Sequence, residues 1–107
     1  MTSGETFGEA IARQRKALTL GQKELAARIA KEDGTPISPQ YLNDLERDRR
    51  NPPPQPLLQQ FARELNLPFD YLAFLAGELP EDIRRNSYGP EKVTSAFQLF
   101  RKALRDE

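Results

Sequence analysis

The stretch SPQYLNDLERDRRN, residues 38–51, is bounded at both ends. Ser38 followed by Pro39 is a helix start, with proline at the first helical position, where its missing N–H is not needed. Pro52, Pro53 and Pro54 stop the helix. Between these limits Leu42 and Leu45 fall three apart on one face and leave Gln40, Asn43, Asp44 and Arg47 pointing elsewhere. Arg47, Arg49, Arg50 and Asn51 form a basic exit. A short helix with an apolar back, an amide-rich front and a basic end suits a DNA major groove. A surface helix whose polar face is merely solvated satisfies the same pattern, so the surrounding chain has to separate the two readings.

Composition narrows the chemistry. The 107 residues include no cysteine, which removes disulfides, thiolate catalysis and cysteine–zinc sites. They include no histidine, the commonest general base and a common metal ligand. Catalysis would need paired carboxylates in a cleft, but Asp44, Glu46 and Asp48 share one helical stretch and Glu81 and Asp82 fall in a linker. Neither an enzyme nor a bound cofactor is expected. No apolar run approaches the roughly 18 residues of a membrane span, and MTSGETFGEA lacks the features of a secretory signal. A soluble, cytoplasmic protein that does not engage a membrane is the expectation. The net charge is zero, which argues against indiscriminate nucleic-acid binding, yet Arg13, Arg15 and Lys16 cluster, as do Arg47, Arg49 and Arg50. A neutral chain can still present one basic face.

Taken in order, residues 5–18 place Phe7, Ala10, Ile11, Arg15 and Leu18 at helical spacing. Residues 19–21 break that helix. A second spans residues 22–30, turning Leu25, Ala26 and Ile29 inward, with Ala26 small enough for another helix to approach. KEDGTP at 31–36 is a turn, Gly34 being suited to positive φ. Ile37 anchors the chain before the cap at Ser38. Residues 55–66 carry Leu58, Phe61, Ala62 and Leu65 on one stripe. Pro68 opens a fifth helix, apolar almost all round, which closes at Gly77 and is expected to floor the core. Residues 78–90 read as a connector with one turn near 81–85. Residues 90–105 form a last amphipathic helix. The expected fold class is all-α, with no strand signal and no internal repeat.

Two helices joined by a turn, with an early alanine in the first and a capped second helix, make a helix-turn-helix unit. Residues 7–75 resemble the Cro/phage-repressor, or xenobiotic-response-element, family of DNA-binding domains. The resemblance rests on Gln22, Leu25-Ala26, Ile29, Ile37-Ser38, Leu42, Leu45-Glu46, Asn51-Pro52, Leu58 and Leu65. The chain departs from that pattern in its turn, which is longer than the family's usual one of about four residues; lengthening a loop costs little entropically. The resemblance implies a lambda-repressor-like five-helix domain over residues 1–77, with residues 78–107 as linker and C-terminal helix. It implies base reading by Pro39, Gln40, Asn43 and Asp44. Phosphate contacts fall to Gln22, Ser38, Tyr41, Arg47, Arg49, Arg50 and Asn51; stacking on a sugar or thymine methyl, and packing against the turn, are alternatives for Tyr41. Arg15 and Glu46 are expected to pair and set the angle between two helices.

These implications make double-stranded DNA the expected partner and a sequence-specific transcriptional regulator the expected function. One unit reads too few base pairs alone, so a homodimeric repressor on a palindrome, with half-sites about 34 Å apart, follows. The last helix bears Val93, Phe97, Phe100 and Leu104 on one side, too apolar to remain in water. Its own fifth helix, a second protomer and another protein are competing destinations. The tail also looks like regulators that sit beside a zinc metallopeptidase. The alternative function is therefore an antitoxin-like or peptidase-partnered protein, its partner a neighbouring metallopeptidase or toxin-like protein, whose DNA binding is autoregulatory.

Overall fold

A computed structural model describes residues 4–106; residues 1–3, at the start of the expected DNA-binding domain, and residue 107 lie outside the described residues. Among the described residues there are seven helices and no strand beyond one isolated bridge. They are α1 Phe7–Ala17, α2 Gln22–Ala27, α3 Pro39–Glu46, α4 Gln55–Leu65, α5 Phe69–Leu75, α6 Glu81–Arg84 and α7 Pro90–Arg105. No helix there is long and apolar enough to cross a membrane.

Local chemistry fixes the helix ends. Thr6 and Glu9 form a reciprocal capping box at the start of α1. Ser38 Oγ accepts from the Tyr41 N–H ahead of α3, with Pro39 at the first helical position. Four helices close through a residue in the left-handed region: Thr19, Asp48, Asn66 and Gly77. In each case the next N–H reaches back to the helix's last turn, as Leu20 N to Arg15 O and Glu78 N to Ala73 O do.

The core forms where α1, α2, α3, α4 and α5 converge, through Phe7, Ile11, Leu25, Ala26, Ile29, Ile37, Leu42, Leu45, Leu58, Phe61, Leu65 and Leu72. Phe7 and Phe61 meet edge-to-face at 6.5 Å between ring centroids. Glu5, tied to Arg13 and Tyr71, fastens the approach to α1 onto α5. The same hydrogen bonds, Arg13 first, hold its carboxyl below the usual range.

Three expectations need correction. The second helix ends at Ala27, not at residue 30, because Ala30 is drawn into an antiparallel bridge with Pro36. Leu18 is exposed, since α1 stops at Ala17 and Leu18 sits at the cap, while Arg15 takes the buried position. The fifth helix floors the core through buried Leu72 and Ala73, with Phe69 and Leu75 half-buried beside them, but it is not buried all round; Phe74 is 55% exposed and turns toward α7, edge-to-face with Phe100 at 6.4 Å.

The lengthened turn is closed upon itself. Lys31 N donates to Thr35 O, Ile37 N donates to Ile29 O, and Gly34 takes φ +89° between them. Asp33 Oδ1 accepts from both the N–H and the hydroxyl of Thr35. Gln60 on α4 grips the strand-like edge, donating to Ala30 O and accepting from Ala30 N. Because Ile29 and Ile37 at the base are both buried, the extra residues project as a small finger while the helices on either side remain packed together.

Candidate nucleic-acid interface

α3 is held from behind and below. Leu42 and Leu45 are fully buried on its inner face. At its C-terminal end Glu46 receives a two-pronged grip from Arg15 of α1: Nε donates to Oε2 at 2.6 Å and Nη2 to Oε1 at 2.9 Å. Arg15 Nη1 donates to Leu20 O at 2.8 Å, so every nitrogen of the guanidinium has a partner. The two residues are 8% and 9% exposed, and hydrogen bonding to Glu46 raises the Arg15 pKa against the opposing effect of burial. Fork-to-carboxylate geometry fixes direction as well as distance, so the pair orients α3 on α1.

The network runs on to the outer face. Gln22, at the first turn of α2, donates through Nε2 to Glu46 Oε1 at 2.9 Å and to Asn43 Oδ1 at 3.2 Å. Both N–H groups of that amide are spent, leaving only its carbonyl oxygen. A phosphate oxygen needs a donor, so the phosphate contact expected of the Gln22 side chain requires one of these bonds to exchange. Asn43, half-buried, has no hydrogen-bond partner for its own Nδ2 donor among the described residues.

Gln40, exposed on the first turn of α3, donates through Nε2 to Asp44 Oδ1 at 3.1 Å. One N–H and the carbonyl oxygen of its amide remain available. Asp44, expected to read bases itself, faces Arg49 Nη1 at 3.9 Å as well as Gln40. Its carboxylate therefore sits between an amide and a cation of the same face, which spares it an unshielded approach to phosphate. Pro39 and Ser38 lie exposed at the N-terminal end of α3.

The basic exit divides in three. Arg47 is exposed and has no ion-pair partner among the described residues; Arg49 leans toward Asp44; Arg50 lies over the Tyr41 ring, 5.3 Å from its centroid. Tyr41 is half-buried against the core, and burial raises its hydroxyl pKa while Arg50 opposes that rise. Asn51 is exposed just before the prolines. Gln40, Asn43 and Asp44 thus share the outward side of α3 with the cations at its C-terminal end. Val93, Phe97, Phe100 and Leu104 lie apart from them on α7.

Two residues outside the expected set hold this face in place. Asp48, inside the basic run, turns back to the start of α1: its Oδ2 accepts from Thr6 Oγ1 at 2.6 Å and its Oδ1 from Gly8 N at 3.0 Å. Gly8 lets α1 and α3 touch, since a Cβ there would stand 2.4 Å from Leu45 O and 2.6 Å from Glu46 O. Thr6 and Glu9 at their spacing were a readable capping signal. Nothing in the sequence marks Asp48 as a cap for a distant helix. No group of carboxylates that could hold a metal ion occurs among the described residues.

The family model described as helix-turn-helix matches residues 11–72, more than half of the chain. No curated protein and no solved structure matches.

Proposed function

We propose, from the premise that this chain belongs to the Cro/C1-type helix-turn-helix family of DNA-binding regulators, that it is a dimeric repressor reading a palindromic operator through α3. The observation that carries this reading is the outer face of α3. There the free edges of Gln40 and Asn43 stand beside Arg47, Arg49 and Arg50, on a helix whose direction is set by the buried Arg15–Glu46 pair. Side-chain amides match the paired acceptor and donor on adenine's major-groove edge, and arginines at the helix end match phosphates. In this reading Gln40 and Asn43 contact bases, and Pro39 lets the backbone approach the groove. Asp44 and Gln22 act one step back: Asp44 steadies Gln40, and Gln22 steadies Asn43. Ser38, Tyr41, Arg47, Arg49, Arg50 and Asn51 line the path of the DNA backbone. Repression follows from occupancy, since a dimer seated on a promoter bars polymerase from the same duplex.

Arg47 gives the cleanest test, because no ion pair among the described residues uses it. Measured by fluorescence anisotropy, wild-type binding to duplex DNA is expected to weaken steeply with salt. Arg47→Ala should lower affinity for every sequence alike and reduce the slope of log K against log salt by about 0.9 for each phosphate it no longer neutralises. Unchanged affinity and slope in the variant, or no duplex binding by wild type at low salt, would overturn the reading.

A further inference from the structure

α7 leaves the core behind. None of its residues is buried, and its one aromatic contact with the domain, among the described residues, is Phe100 against Phe74. Val93, Phe97, Phe100 and Leu104 remain 38–55% exposed, so docking on its own α5 shelters one edge of the stripe and leaves the rest open. The accessible surface, 7581 Å², exceeds the about 6,000 Å² of a typical folded monomer of this mass. A standard interface removes about 800 Å² from each partner. The radius of gyration, 15.6 Å, likewise exceeds the about 13 Å of a compact chain of this length.

The stripe has the spacing of a coiled-coil seam, four, three and four residues apart, and it fits its own reverse. We propose that α7 pairs with α7 of a second copy in antiparallel fashion, with Val93 against Leu104 of the partner subunit and Phe97 against Phe100 of the partner subunit. Each large ring then meets a large ring at the centre, and each outer layer joins one Val to one Leu. Ala96 and Ala103, seven apart on one flank, keep that side narrow enough for close approach. Charge selects the direction. Arg101, Lys102 and Arg105 crowd the C-terminal half of α7, where Asp106, 3.9 Å from Lys102, offsets one of them, whereas Glu91 and Lys92 cancel in its first turn. A parallel pair gathers the excess cations of both copies at one end; an antiparallel pair separates them and sets each beside the neutral first turn of the partner subunit's helix, with the two helix dipoles opposed. An isologous pair of this kind has the two-fold axis that a palindrome requires. The inference rests on the dimer of the proposed function and names where that dimer is held.

The chain has no cysteine, so single substitutions report the register cleanly. Val93→Cys and Leu104→Cys proteins are mixed without DNA, equilibrated and mildly oxidised. Eleven residues of helix span about 16 Å, and a disulfide needs Cα atoms within about 7 Å. Disulfide-linked dimer is therefore expected from the mixture and not from either variant alone. Sedimentation should show a wild-type dimer, and Phe97→Asp/Phe100→Asp should be a monomer with unchanged helical circular dichroism and melting of the core. Cross-linking of Val93→Cys alone, which signals a parallel pair, overturns the proposal. A wild-type monomer also overturns it, as would follow if α7 serves a different protein. No DNA is present, so failure here leaves the reading of DNA standing, and failure to bind DNA leaves this pairing standing.

Discussion

Arg15 and Glu46 illustrate why a buried ion pair is worth more as a positioning device than as a source of stability. Removing two charges from water offsets most of their attraction, yet breaking the pair leaves one charge stranded. Here the stranded group would be Glu46, with Gln22 its one remaining side-chain donor. Arg15→Ala is expected to lower the unfolding free energy by about 3–5 kcal/mol in urea denaturation. A loss below about 1 kcal/mol would mean that the pair behaves as an exposed one does. At this scale the sequence was partly legible: it marked the residue types on the face of α3 but not their wiring. Which amide hydrogen is spent, on Glu46 by Gln22 or on Asp44 by Gln40, depends on distances between α2 and α3 and between successive turns. No single-chain pattern encodes those distances.

At the scale of elements, the helices and their order were readable because proline, glycine and capping residues punctuate them strongly. What was not readable lies in contacts between elements. A glycine in the first turn of α1 looks like a weak helix former, but Gly8 is the point at which α1 rests on the last carbonyls of α3. Those atoms are backbone and cannot swing aside. Gly8→Ala should therefore destabilise the fold by about 1–3 kcal/mol, as overpacking does, although alanine favours helix by up to about 1 kcal/mol in isolation. Thermal melting checks this, and an unchanged or raised midpoint would count against close α1–α3 contact. The turn before α3 carries the same lesson. Its length alone leaves the tilt of α3 open, but the Ala30–Pro36 bridge and the Gln60 clamp close it, and a glutamine on a neighbouring helix gave no signal of that role.

At the scale of the whole molecule, burial among the described residues ends with α5, and the chain continues into a helix whose apolar stripe stays exposed. In the proposed assembly, a small core that holds α3 rigid, joined to a helix paired with its copy, would place two α3 helices about a two-fold axis. That assembly has a purpose only if α3 touches bases. The most direct test selects bound duplexes from a random-sequence pool, once with wild-type protein and once with Gln40→Ala. Wild type is predicted to enrich a palindromic motif, and the variant to lose preference at one position in each half-site, worth about 1–3 kcal/mol of discrimination, while keeping the others. An identical motif from both proteins, or no motif from wild type, would contradict the assignment of α3 as the reading helix.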